Sequence, residues 1–153
     1  MKEQFIIKNV STGKEYPFYK QRIIEILKKN CYNISWVENP TDELKYLAIN
    51  EAIKHKRSRI LRYVENPTEK MQEKAVKNRA YNILYVDNPS ENIILLAFQT
   101  EWSYFIYARL KLDLDTKSSW FRKEFNKLKL KNGPIDVIPE GMRKEYYGPL
   151  NFF

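Results

Sequence analysis

Three stretches of the chain align without gaps: YNISWVENPT at 32–41, RILRYVENPT at 59–68 and YNILYVDNPS at 81–90. Their prolines, Pro40, Pro67 and Pro89, stand 27 and then 22 residues apart. An aromatic residue lies four positions before each proline (Trp36, Tyr63, Tyr85) and an alanine eight positions after it (Ala48, Ala75, Ala97). Self-similarity at periods of this length is the mark of stacked supersecondary units. It constrains the fold more tightly than any residue count, because one unit cannot bury its apolar face alone.

Each aligned class has a physical role. Asn39, Asn66 and Asn88 precede proline, which disfavours helical backbone there, and their side chains are expected to act as caps. Proline suits a first helical turn, where its missing N–H costs nothing. Glu43, Glu69 and Glu91 then complement the helix dipole. Helices are therefore predicted from 40 to about 54, 67 to about 78 and 89 to about 100. Leu44, Leu47 and Ala48 share one face, as do Met71, Ala75 and Val76, and Ile93, Leu96 and Ala97. A short second helix is expected in each unit, at 34–37, 60–64 and 83–86. It is too short to be stable outside a stack. The aromatics at the repeat positions read as core anchors. A worn fourth copy at 103–108 places Tyr107 in the aromatic position but lacks Asn-Pro. A helix over 17–30, with Ile23, Ile24, Ile26 and Leu27 apolar, would cap the other end.

This pattern resembles the short Asn-Pro-Ser/Thr-Glu helical repeats, about 22 residues long, of uncharacterised bacterial and phage proteins. The closest match is Ala75-Val76-Lys77-Asn78 followed by YNILYV at 81–86. The resemblance covers about half the chain. It implies a HEAT-like α-solenoid and carries no activity of its own, since such repeats are scaffolds. The 27-residue step departs from the family. Five extra residues between Ala52 and Ser58 either lengthen the helix or form a loop.

The ends have other patterns. Residues 5–18 carry a Ser-Thr-Gly turn signal between apolar runs, which predicts a small β-hairpin. Ser118 or Ser119 is placed to cap a helix to about 130, with Trp120, Phe121, Phe125 and Leu128 apolar and Asn132-Gly133-Pro134 ending it. The tail, 135–153, reads as extended or looped. Its apolar finish packs back on the body or binds a partner, packing being the favoured reading. The expected architecture is mainly α: a short α-solenoid of two-helix repeats over 31–112, a hairpin and capping helix over 1–30, and a helix and irregular tail over 113–153, all in one domain.

Composition narrows the function. Only 4 of 153 residues are glycine, which argues against an all-β fold or a phosphate-cradling loop enzyme. One cysteine, Cys31, excludes an intrachain disulfide. Neither a secretory leader nor an apolar run long enough to span a membrane is legible. The expected location is cytoplasmic, the host cytoplasm if the protein is phage-encoded. No cofactor, metal or membrane partner is expected. His55, the single histidine, has no evident acid partner, and Cys31 reads as core packing, so an enzyme is not expected. Asp113 and Asp115 read as helix-capping or solvated-turn carboxylates.

The net charge of +8 favours anionic partners. Lys54, Lys56, Arg57, Arg59 and Arg62 put five cations within nine residues, inside the enlarged step. Lys74, Lys77 and Arg79 extend them into a predicted basic stripe. Arg122, Lys123, Lys127, Lys129 and Lys131 form a second cluster. The competing reading of both is a solvated helix face. Two functions fit: a non-enzymatic module gripping an acidic protein surface or nucleoprotein complex, or direct RNA or DNA binding. The resemblance adds one concrete form of the first, a phage-encoded inhibitor of a host defence complex, anti-CRISPR-like in character.

Overall fold

A computed structural model describes residues 3–135; the tail beyond 135, expected to pack or bind, lies outside the described residues. The chain is mainly helical with a two-stranded hairpin at its start. Strands β1 (Gln4–Lys8) and β2 (Glu15–Tyr19) pair antiparallel, Phe5 opposite Phe18 and Ile7 opposite Tyr16. Alternation puts Phe5 and Ile7 in the core. In the turn, Asn9 accepts from the backbone N–H groups of Ser11 and Thr12, and Gly13 takes φ +68°. The flanking bonds, Asn9 to Lys14 and Lys20 to Glu3, leave Pro17 in a non-hydrogen-bonded pair facing outward. The missing donor of Pro17 blunts the free edge of β2. The opposite edge is covered: Glu38 N–H donates to Ile6 O at 2.8 Å, and Ile7 bridges Val37.

The helix expected from Pro17 starts later, because 15–19 is committed to the strand. It is α1, Lys20–Lys29. The remaining helices are α2 (Asp42–Lys54), α3 (Glu69–Asn78), α4 (Glu91–Thr100), α5 (Tyr104–Leu110) and α6 (Ser119–Asn132). The second element of each repeat is a 3-10 segment, at Cys31–Trp36, Ile60–Arg62 and Ala80–Tyr85.

The Asn-Pro-Thr/Ser turn works differently from the expectation. The cap is the residue after proline: Thr41, Thr68 and Ser90 accept from the N–H groups of Leu44, Met71 and Ile93 at 3.3–3.4 Å. Helices begin two residues after each proline. Asn39, Asn66 and Asn88 are left-handed, with φ +45°, +47° and +48°. Asparagine tolerates that region better than most side chains. It reverses the chain between the 3-10 segment and the next helix.

The extra five residues of the first step divide between both alternatives. Helix α2 has 13 residues against 10 in α3 and α4, and the rest form a loop over 55–59. The helix ends in a paired closure: Lys56 N–H donates to Ile53 O and Arg57 N–H to Ala52 O, with Lys56 at φ +54°.

Packing follows the repeat. Ala48, Ala75 and Ala97 have no exposed surface. Helix α2 packs on α3, α3 on α4, and α4 on α6. Ala75 faces the core shared with α2, while Val76 joins the core that includes Phe98, Phe121 and Phe125. The fourth unit is more complete than its sequence. Ser118 caps α6 by accepting from Phe121 N–H at 3.1 Å, with backbone angles matching Ser90. Phe121 and Phe125 therefore occupy the places of Ile93 and Ala97. They fill them with rings: Phe98 meets Phe125 edge-on at 5.2 Å.

First-turn glutamates tie successive helix starts together. Ser90 donates to Glu69 Oε1 at 2.7 Å. Ser118 donates to Glu91 twice, from Oγ at 2.6 Å and from N–H at 2.8 Å. Lys20 pairs with Glu43 across α1 and α2. The starts of α1 and α2 therefore lie together, as do the starts of α3, α4 and α6.

Candidate functional site: a basic edge

All eight cations singled out from the sequence are exposed. The α2 closure holds Lys54, Lys56 and Arg57 at a helix C-terminus. Arg59, itself left-handed at φ +64°, leads into the 3-10 segment that carries Arg62. Lys77 and Arg79 end α3. Last-turn cations also answer the helix dipole, but Lys56, Arg57 and Arg59 lie beyond the helix and their charges face solvent.

One buried side chain brings the two groups together. Asn82 has no exposed surface. Its Nδ2 donates to Ala75 O and Arg79 O, at 3.1 and 3.2 Å, and its Oδ1 accepts from Leu61 N–H at 3.2 Å. The end of α3 is thereby fastened to the segment between Arg59 and Arg62. Tyr32 fastens the loop on its other side: its hydroxyl donates to Ser58 O at 2.5 Å and its ring lies 4.5 Å from Tyr63. Burial holds the Tyr32 phenol above its ordinary pKa, against the opposing pull of Arg57 and Arg59.

Among the described residues, seven of the eight cations form no ion pair; Lys77 meets Glu73 at 3.6 Å. Lys74 lies a turn before the end of α3, and no contact ties it to the loop. The second cluster does not form a single patch. Helical spacing sets Arg122 and Lys129 on one face of α6 and Lys123, Lys127 and Lys131 on another, and Lys127 pairs with Glu124 at 2.9 Å.

Two cations of the edge were missed from the sequence. Lys28 and Lys29 end α1, whose N-terminus stands beside that of α2 and whose following segment carries Tyr32. The repeat register contained the signal: Lys28 precedes the Cys31 segment as Lys77 precedes the Ala80 segment. At the next step the equivalent of Arg79 is Glu101, so the basic edge ends at α3.

No family model, curated protein or solved structure matches the chain.

The chemistry-bearing side chains are accounted for locally. His55 does have an acid partner, Glu51, with Nε2 at 3.3 Å from Oε2; the four-residue helical spacing places it there, and the sequence reading passed over it. Burial pushes the Cys31 thiol up and away from the reactive thiolate. Asp113 accepts from Asp115 N–H and caps the 3-10 segment Leu114–Thr116. No described helix is long and apolar enough to cross a membrane.

Proposed function

We propose that this chain is a non-enzymatic binding module, a short α-solenoid that grips an acidic protein surface along its basic edge. One observation carries the reading: cations from three helix ends and one loop lie close together, and among the described residues Lys77 alone of them forms an ion pair. Packed helix axes are about 8–10 Å apart, so three ends span roughly 20 Å. That length suits a patch of several carboxylates better than a single small anion.

Direct nucleic-acid binding is the second reading, and the arginines Arg57, Arg59, Arg62 and Arg79 favour it. The aromatic residue nearest the loop weighs against it. Tyr32 is held by its hydroxyl bond and packs its ring on Tyr63, so it is not free to swing out and stack a base.

Capture from the native host, with and without nuclease, tests both. The proposal expects protein partners that survive nuclease and are lost with Lys56→Glu, Arg57→Glu and Arg59→Glu combined. Capture that disappears with nuclease, together with mobility shifts on RNA or DNA that weaken steeply with salt, would replace it by the second reading. Unchanged capture by the triple variant would remove the edge from the function.

A further inference from the structure

Six large apolar side chains are conspicuously exposed among the described residues, and three of them, Val10, Tyr16 and Trp36, line one groove. It lies between the hairpin, the end of α1 and the first 3-10 segment, and encloses about 530 Å³. Ligand sites run from roughly 300 to 1,000 Å³. Ile7, Phe18 and Ile26 supply apolar wall, and Val10, 80% exposed, forms the lip. Trp36 was expected in the core as a repeat anchor; it is 46% exposed because its segment ends against the hairpin rather than against another repeat.

The charge around the groove has one sign. Lys8 and Lys29 line it, and no carboxylate does among the described residues. Lys29 also belongs to the basic edge. The segment Cys31–Trp36 joins the two surfaces, with Asn33 and Trp36 in the groove and Tyr32 bonded to the loop at Ser58. At about 2 Å rise per residue, the segment is roughly 12 Å long. Three or four extended residues cover that distance.

We propose that this groove anchors the same partner: it takes one apolar side chain from an acidic peptide segment whose carboxylates then cross Lys29 to the basic edge. The inference rests on the proposed reading of that edge and names the partner's chemistry. A cleft walled by Ile7, Ile26, Phe18 and Trp36 suits Leu, Phe or Trp. Addition of a partner strand to β2 is opposed by Pro17.

The test uses the full chain and fluorescence anisotropy. The probes are a labelled pool of acidic dodecapeptides with one Leu, Phe or Trp four residues from a carboxylate run, the same pool with Ala there, and a twelve-nucleotide oligo-dT. Anchored peptides are expected to bind at least tenfold tighter than the Ala pool. Trp36→Ala and Val10→Glu should each remove most of that difference, and Val10 is exposed enough that its variant keeps the fold. The triple charge reversal should weaken both pools. Equal binding of anchored and Ala pools, or undiminished binding by Val10→Glu, overturns the groove while leaving the basic edge standing. Binding of oligo-dT alone overturns the peptide assignment, and binding of no probe overturns both readings.

Discussion

Replacing Asn82 with alanine tests the joint that assembles the basic edge. The side chain is fully buried and makes three hydrogen bonds. The two carbonyls it binds keep other partners, since Arg79 N–H donates to Ala75 O and Asn82 N–H to Arg79 O. Leu61 N–H keeps none among the described residues. An orphaned buried donor costs about 1–3 kcal/mol and each lost bond about 1 kcal/mol, so Asn82→Ala should destabilise by about 3 kcal/mol. For a chain of this size that is a fall in Tm of roughly 6–12 °C. Asn82→Asp should cost more, because it sets a buried carboxylate against two carbonyl oxygens. Asn33 is the internal control. It holds the same repeat position, but its side chain makes no hydrogen bond to the described residues and faces the groove, so Asn33→Ala should stay within about 0.5 kcal/mol. Urea unfolding followed by circular dichroism measures all three. Equal costs at Asn82 and Asn33 would refute the argument.

Other expectations follow from the caps and clasps. Thr68→Ala should cost about 1 kcal/mol in urea unfolding, as loss of a cap does, while Asn66→Ala, which removes no cap, should cost stability through its left-handed backbone; Asn66→Gly is expected to be tolerated. The Ser118 hydroxyl and backbone N–H hold the Glu91 carboxyl below its ordinary 4.5. A depressed folded pKa gives stability that is present above 4.5 and lost as pH falls through the folded value. Ser118→Ala should therefore move Glu91 upward in an NMR pH titration, and no movement would dissolve the clasp. The triple variant Lys56→Glu, Arg57→Glu and Arg59→Glu should melt within a few degrees of the parent, since none of the three side chains forms an ion pair among the described residues; a large fall would make the loop structural.

The repeat was legible because its signals are local. Helix ends at Lys54, Asn78 and Thr100 follow from periodicity and cap chemistry. The cap stands two residues later than expected because Asn39 and Thr41 are both good cap types; the turn's geometry decides between them, and the Asn is left-handed where a cap needs extended backbone. The α6 unit was read as a separate helix because it lacks Asn-Pro, although Ser118 and Phe121 keep the cap-to-core spacing. The basic loop was visible as a cluster. Its union with Arg79 was not, because it depends on one buried amide reaching 21 residues back. The groove was hidden for a similar reason: Trp36 looks like Tyr63 and Tyr85 in register, and only its neighbour differs.

The glutamate clasps have a direction. Glu69 at the start of α3 receives the cap of α4, and Glu91 at the start of α4 receives the cap of α6. The starts of α4 and α6 are thus each completed by an earlier helix, while in the Lys20–Glu43 pair the glutamate belongs to the later helix. Loss of Glu69 or Glu91 would therefore weaken two helix starts at once, its own through the dipole and the next through the lost partner of the capping hydroxyl.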